Sequence, residues 1–159
     1  MEELSRLIAL LKGNEEAFAA LYREGGRLFP SEADEFERLA REEEGHAGLF
    51  ANIQSDQAAH PGRWRMGKIS VTTCEGVQAR ARSVLEEVRQ GKAAPRYLLT
   101  SLASLEQSMA ERSLHKIIET DEPRLADALR HISQGFTDHF KRLQDLEARL
   151  FPPTQPPLF

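Results

Sequence analysis

Apolar residues recur at intervals of three and four along four long stretches of the chain, which predicts four amphipathic helices. Helix A covers residues 4–22, and we expect the Gly25-Gly26 pair to end it. Helix B covers residues 36–53 and follows a short connection, with Ser31 as its N-cap and Asp34 in the capping-box position. A connection this short makes helices A and B antiparallel neighbours.

The middle of the chain has no sustained period. Residues 54–70 contain proline and glycine, so we predict a long crossover loop there, and we expect Trp64 within it to pack on the bundle. The Thr-Thr-Cys-Glu sequence at residues 72–75 has capping-box spacing, and apolar residues then recur as far as Val88. This predicts a shorter extra helix within the crossover, which ends near Gly91.

The last third of the chain repeats the pattern of a helical pair. Helix C covers residues 95–117, and the segment 120–123 interrupts the chain and caps helix D at residues 125–150. The tail at residues 151–159 is rich in proline and cannot continue a helix. The pattern therefore predicts an all-α domain over residues 1–150, in which two antiparallel hairpins form a four-helix bundle joined by a long crossover.

Each of the four apolar stripes is interrupted by a carboxylate or an imidazole. These residues are Glu15 on helix A, Glu43 and His46 on helix B, Glu106 on helix C and His139 on helix D. A buried carboxylate beside a buried imidazole is costly unless a partner satisfies both groups. A metal ion suits Glu and His one helical turn apart, so the pattern predicts a metal site in the core of the bundle.

The two halves of the chain also match each other, with one break. The interval from Glu15 to Glu43 is almost the same as the interval from Glu106 to Phe136. Glu43 and Phe136 each precede a histidine by three positions. Each half is thus a hairpin with one inward-facing Glu on its first helix. The second helix has Glu-x-x-His in the first half and Phe-x-x-His in the second half.

This arrangement resembles the ferritin-like superfamily, and specifically its rubrerythrin-like branch. That family is a four-helix bundle of two hairpins, with a di-iron site built from one Glu on each of two helices and a Glu-x-x-His on each of the other two. The resemblance covers residues 4–150 and implies that Glu43 bridges two metals. The ligands that it implies are Glu15, Glu43, His46, Glu106 and His139.

The resemblance also implies a cofactor and partners. The metal is expected to be iron, as a pair or a single ion, with manganese and zinc as alternatives. A small oxidant such as oxygen or peroxide is the expected reactant, and we expect Tyr22 in the seam near the site. Relatives often pair through helix faces, which makes a homodimer the expected assembly.

Three departures from the family pattern leave the function open. Phe136 stands where a second bridging Glu is expected, Met109 stands where rubrerythrins have another carboxylate, and the cysteine-rich rubredoxin domain is absent from this sequence. The site could therefore hold two metals, or one metal near Glu15, Glu43 and His46 with or without Glu106, or none. In the last case the chain is a degenerate bundle that acts as a binding or structural protein.

Composition narrows the remaining function classes. The chain has 159 residues, which suits one domain with a full core. Its net charge of −4 includes no basic excess that would favour nucleic acid, and no apolar run is long enough to span a bilayer. The first residues are acidic and do not resemble a charged-then-apolar leader, so we expect a cytoplasmic protein.

The other candidate side chains favour simpler interpretations. Cys74 is the single cysteine, so it cannot supply the paired CxxC motifs of a rubredoxin-type iron site, and we expect a small buried thiol. His60, His115 and His131 lie in the loop or away from the seams, where we expect them to be solvated. Asp138 is rotated about 100° from the His139 seam and is not expected to replace the missing carboxylate.

Overall fold

The computed structural model describes residues 2–67 and 71–153, apart from the side chain of His115. Most of these residues are helical. The helices are α1 (Glu2–Leu28), α2 (Ala33–Ala59), α3 (Val71–Arg89), α4 (Pro95–Arg112), the single turn α5 (Leu114–Ile117) and α6 (Pro123–Leu150). Two 3₁₀ turns, Pro30–Glu32 and Pro61–Arg63, and two short strands, β1 (Trp64–Met66) and β2 (Ile118–Thr120), complete the described elements.

Helices α1 and α2 form the first antiparallel hairpin. The Ser5 hydroxyl near the start of α1 donates to Gln57 near the end of α2, at 2.9 Å. At the other end, the ring of Phe36 lies so close to Gly25 that a Cβ atom there would be 2.3 Å from the ring. The prediction that Gly25 and Gly26 end the helix is wrong, because α1 continues to Leu28 and Gly25 instead lets the two helices approach.

The turn between these helices also differs from the prediction. Ser31 lies within the 3₁₀ turn Pro30–Glu32, and Glu32 occupies the N-cap position of α2. Ser31 is therefore not the N-cap of helix α2. The tight turn itself brings the chain from α1 into α2, with the Glu32 amide donating to the carbonyl of Phe29 at 2.9 Å.

Helices α4 and α6 form the second antiparallel hairpin. Arg96 at the start of α4 is paired with Glu147 near the end of α6, at 2.9 Å. Helix α4 ends at Arg112 because Ser113 takes a left-handed backbone conformation with φ 49°, so the predicted continuation to residue 117 is wrong. The cap before α6 is as predicted: the Glu122 side chain accepts from the backbone amide of Arg124.

The crossover is more ordered than the predicted loop. Helix α2 runs on to Ala59, and β1 then pairs antiparallel with β2, so that Trp64 lies opposite Thr120. Trp64 packs on the bundle as predicted; it is buried, and its indole N–H donates to Asp56 Oδ2 at 2.8 Å. The extra helix is confirmed as α3, which packs on α1 where a Cβ at Gly13 would meet the Gln78 side chain.

One continuous apolar core runs between these helices, which confirms the predicted all-α bundle of two hairpins with a crossover helix. Cys74 is buried and unpaired within this core, as expected. The tail prediction falls mainly on residues 154–159, which lie outside the described residues; Phe151 before them packs against Phe29. Within the described part of the chain, none of the helices combines the length and the apolar character that crossing a bilayer requires.

Candidate metal centre

The five predicted ligands lie together in the core, contributed by the four long helices of the two hairpins. Glu15, Glu43 and Glu106 are fully buried, His139 is 1% exposed and His46 is 5% exposed. They form two groups of three that share one residue. Within each group, each residue offers one donor atom, and these three atoms lie within 4.8 Å of one another. The groups are Glu15 with Glu43 and His46, and Glu43 with Glu106 and His139.

Glu43 belongs to both groups and stands between the two histidines. Its Oε2 atom is 3.0 Å from Nδ1 of His46, and its Oε1 atom is 2.6 Å from Nδ1 of His139. The two imidazole rings are stacked, with centroids 5.6 Å apart. One carboxylate therefore offers one oxygen to each half of the cluster, which is the arrangement that a bridging ligand requires.

The first group is completed by Glu15. Its Oε2 atom lies 3.2 Å from Nδ1 of His46, while its buried Oε1 atom has no hydrogen-bond partner among the described residues. Burial, and then the negative charges of Glu43 and Glu106, raise the pKa of Glu15 well above its usual value. The direction of this shift favours the neutral form of the Glu15 carboxyl group.

The second group contains Glu106 and a tyrosine. The Tyr22 hydroxyl donates to Glu106 Oε1 at 2.5 Å, and His139 Nδ1 is 3.4 Å from the same oxygen. Glu106 Oε2 is buried and has no hydrogen-bond partner in the described part of the chain. Burial and the charge of Glu43 raise the pKa of Glu106 to about 8. The expected position of Tyr22 near the site is thus confirmed.

Protons balance the charge of this cluster in the absence of a metal. Burial disfavours the charged form of His139, but hydrogen bonds to Glu106 and Glu43 outweigh it and raise the pKa of His139 to about 11. Burial likewise opposes the charge of Glu43, yet hydrogen bonds with Glu15, His139 and His46 hold its pKa below the usual range. These shifts favour an ion pair between Glu43 and His139, and the raised pKa of Glu15 and of Glu106 favours their neutral forms.

Glu42 is a member of the site that sequence reasoning missed. It lies beside Glu43 but off the apolar stripe, and its Oε2 atom accepts from His139 Nε2 at 2.9 Å. Arg142 holds Glu42 from the other side at 2.9 Å and also pairs with Glu35 at 2.7 Å. His139 is therefore fixed at both ring nitrogens. The one sequence signal is that Glu42 adjoins Glu43 while Arg142 follows His139 by three positions.

Gly135 and Phe136 shape the wall beside His46. A Cβ atom at Gly135 would lie 2.5 Å from His46 Cε1, so the glycine makes room for the imidazole under α6. Phe136 is fully buried, with its ring centroid 6.4 Å from that of His46. The residue at which the internal repeat breaks thus lies next to the first group, as the repeat predicts.

His60, His131 and Asp138 belong to neither group of candidate ligands. His60 is exposed and 3.2 Å from Asp56, as expected for a solvated loop histidine. His131 is exposed as predicted, but its ring also meets the His46 ring edge-on at 5.8 Å. Asp138 is exposed and accepts from the Gln134 amide at 3.0 Å. The side chain of His115 lies outside the described residues.

The fold and this cluster define a class of protein, an all-α helical bundle with a buried group of carboxylates and imidazoles at its centre. The chain matches no family model, and no curated protein and no solved structure is significantly similar to it.

Proposed function

We propose that this protein is a ferritin-like metal-binding bundle of the rubrerythrin-like kind, which holds iron between its helices and acts on a small oxidant such as oxygen or peroxide. The observation that carries the proposal is the sharing of Glu43 by two groups of three ligands. Manganese and zinc suit the same donors. Glu15 and Glu106 would be terminal ligands, and each imidazole would complete one metal.

The donor atoms fit a metal in two respects. Carboxylate oxygen and imidazole nitrogen are the donors that iron and manganese prefer when the coordination sphere is left partly open. In addition, the unpartnered oxygens of Glu15 and Glu106 are buried, where an unsatisfied polar atom is costly. A cation would give each of these two oxygens a partner.

The number of metals depends on charge. Two divalent ions carry four positive charges, against three negative charges from Glu15, Glu43 and Glu106. On the proposed resemblance Phe136 would occupy the position of a fourth carboxylate, so the second ion is expected to bind more weakly than the first. A site with a single ion near Glu15, Glu43 and His46 is the alternative of the same kind.

The chemistry follows from the donor set. A bound iron or manganese supplies a redox-active centre with coordination positions open to oxygen or peroxide. Within the chain, the Tyr22 hydroxyl donates to Glu106 Oε1 and so orients this carboxyl group, and the surrounding core excludes bulk water. The Glu42 carboxylate orients the His139 ring through Nε2.

A degenerate, metal-free bundle is the second candidate, and one observation favours it. The Glu43–His139 ion pair and the Tyr22–Glu106 hydrogen bond already satisfy much of the cluster without a cation. In that case the bundle serves as a binding or structural protein. We also propose a cytoplasmic location, which agrees with a single cysteine that is buried and unpaired. A homodimer is our proposal for the assembly.

Metal content decides between these candidates. The full chain is purified without chelators, loaded anaerobically with ferrous iron, desalted, and analysed for bound metal per chain. We expect between one and two ions, and we expect the loaded protein to consume peroxide faster than free iron does. Zero metal after loading would exclude the proposed function and favour the structural bundle, while bound metal without peroxide turnover would exclude only the oxidant chemistry.

A further inference from the structure

A cleft of 730 Å³ opens between α2 and α6 beside His46, one of the residues of the first group of candidate ligands. His46 forms part of its lining and is the most exposed of the five candidate ligands. Glu42, the carboxylate that orients His139, lines it as well. A molecule bound in this cleft would therefore contact the metal centre through His46.

The cleft is much larger than an oxidant alone requires. A peroxide molecule, the size of about two waters at roughly 30 Å³ each, would fill less than about a tenth of its 730 Å³. Cavities of about 300 to 1,000 Å³ are typical of sites for small organic ligands. The size therefore favours an organic molecule over simple passage of oxygen or peroxide.

Two glycines keep the cleft open. Gly135 on α6 forms one wall and Gly45 on α2 forms another. A Cβ atom at Gly45 would have no described heavy atom within 4 Å apart from the adjoining residues and backbone of α2 itself. Leu49, one helical turn after Gly45, adds an apolar surface. A larger side chain at Gly45 would occupy the cleft without displacing a neighbour.

The lining carries two acids and two cations, and one of the cations is available to an anionic group on a ligand. Both acids have partners, since Glu42 pairs with Arg142 and Asp138 accepts from the Gln134 amide. Lys141, which also lines the cleft, forms no ion pair with any residue that the structure describes. An incoming carboxylate would supply the missing partner.

We propose that this cleft is the binding site of a small organic acid, whose carboxylate pairs with Lys141 and whose apolar body lies against Leu49 and the two glycines beside His46. Its role as the substrate or effector of the metal centre rests on the proposed function. Its binding to the cleft does not, because the proposed contacts are made only by residues of α2 and α6.

The test measures binding to the full metal-free chain by calorimetry and by NMR of the histidine ring protons. The probes are benzoate, phenylacetate and hexanoate, each compared with its uncharged amide. We expect at least one acid to bind with a millimolar or lower Kd and to shift the resonances of His131 and His46, and its amide to bind about tenfold more weakly. Lys141→Gln should remove this preference for the acid over the amide.

A matched pair of variants locates the site. Gly45→Leu should abolish binding by filling the cleft, while Gly48→Leu, on the same helix and equally free of neighbouring atoms but outside the lining, should leave it unchanged. Thermal unfolding of both variants is measured to establish that each of them is folded. Absence of acid binding in the parent, equal binding of acids and amides, or binding that survives Gly45→Leu would overturn the inference, whatever metal the chain takes up. Acid binding by a chain that takes up no metal would refute the proposed function alone.

Discussion

Gly135 on α6 and His46 on α2 approach each other so closely that a Cβ atom at position 135 would lie 2.5 Å from His46 Cε1 and 2.9 Å from Nε2. The imidazole is buried and its Nδ1 atom already faces Glu15 and Glu43, so it has little room to retreat. The close contact between these two helices thus depends on a residue without a side chain. It ties the position of one candidate ligand to the backbone of the opposite hairpin.

Gly135→Ala is therefore expected to displace His46. We expect a loss of about 1 to 3 kcal/mol in stability from overpacking and a metal affinity about 10 to 100 times weaker. Gly48→Ala is the control, because no heavy atom of the described residues is within 4 Å of its Cβ and the change should stabilise α2 by about 0.5 to 1 kcal/mol. Thermal unfolding and metal titration of the two variants measure both effects. Equal behaviour of the two alanine variants would contradict this role of Gly135.

Glu43→Gln should abolish metal binding, since Glu43 is the one residue common to both groups of ligands. Glu44→Gln is the matched control: it changes the next residue, which is exposed and paired with Arg23 on the surface. Elemental analysis after anaerobic iron loading should give no bound metal for the first variant and the parental value for the second. Equal losses in both would place the metal outside the seam.

The helices and the five candidate ligands could be predicted because both depend on local periodicity. A Glu or His at a stripe position must face the core wherever the stripe does, and the observed burial of Glu15 and His139 follows from that alone. The function of the cluster is not given by this rule. Burial and proximity support a metal, but they do not identify one.

What the sequence did not reveal depends on contacts between distant segments. Gly25 is a helix-ending signal in a local window, whereas its real role is set by the Phe36 ring on the next helix. The pairing of Trp64 with Thr120 joins segments far apart in the chain, and three-residue strands leave too short a pattern to recognise. Glu42 was missed because it is off the stripe and its partner, Arg142, is on another hairpin.

Glu42→Ala should weaken metal binding without removing a proposed ligand. The Glu42 carboxylate accepts from His139 Nε2 and so fixes the ring whose Nδ1 atom faces Glu43. Loss of such an outer partner is expected to reduce metal affinity about 10- to 100-fold. Glu37→Ala, at a partly exposed position on the same helix that pairs with Arg41 and does not contact the cluster, should leave the metal affinity unchanged. Competition titration with a chelator compares the two, and parental affinity in Glu42→Ala would show that His139 does not depend on this contact.

The stability of the metal-free protein should fall as pH rises from about 6 to about 9. The pKa of Glu106 is raised from its ordinary value near 4.5 to about 8, so the folded protein binds this proton more tightly than the unfolded chain does. The stability that this proton contributes is complete below pH 4.5 and is lost as the pH rises to about 8. The pKa of His139 is raised from 6.5 to about 11, so the stability that its proton contributes is lost as the pH rises between these two values. Thermal unfolding across this pH range measures the slope. Glu106→Gln lacks one of the titrating groups and should give a shallower fall, and a slope equal to that of the parent would contradict the assignment.

Phe136, the residue at which the internal repeat breaks, gives the strongest prediction about whether a second metal can bind. Phe136 is fully buried beside His46, so Phe136→Glu removes an aromatic ring from the core, with a cost of about 3 to 5 kcal/mol by analogy with truncation, and adds a carboxyl group near three others. The metal-free variant should therefore be much less stable than the parent. Ferrous iron should restore most of that loss and raise the stoichiometry towards two, because a ligand that binds only the folded state stabilises it.

Phe136→Gln is the control for this change, since it has the same shape as the Glu variant and an equally polar end but cannot supply a carboxylate. It should be destabilised in the same way and should gain much less from iron. The comparison uses thermal unfolding with and without ferrous iron under anaerobic conditions, together with metal content per chain. Equal stabilisation of the Glu and Gln variants by iron would show that position 136 is not a vacant ligand position. The internal repeat would then give no support for a second metal.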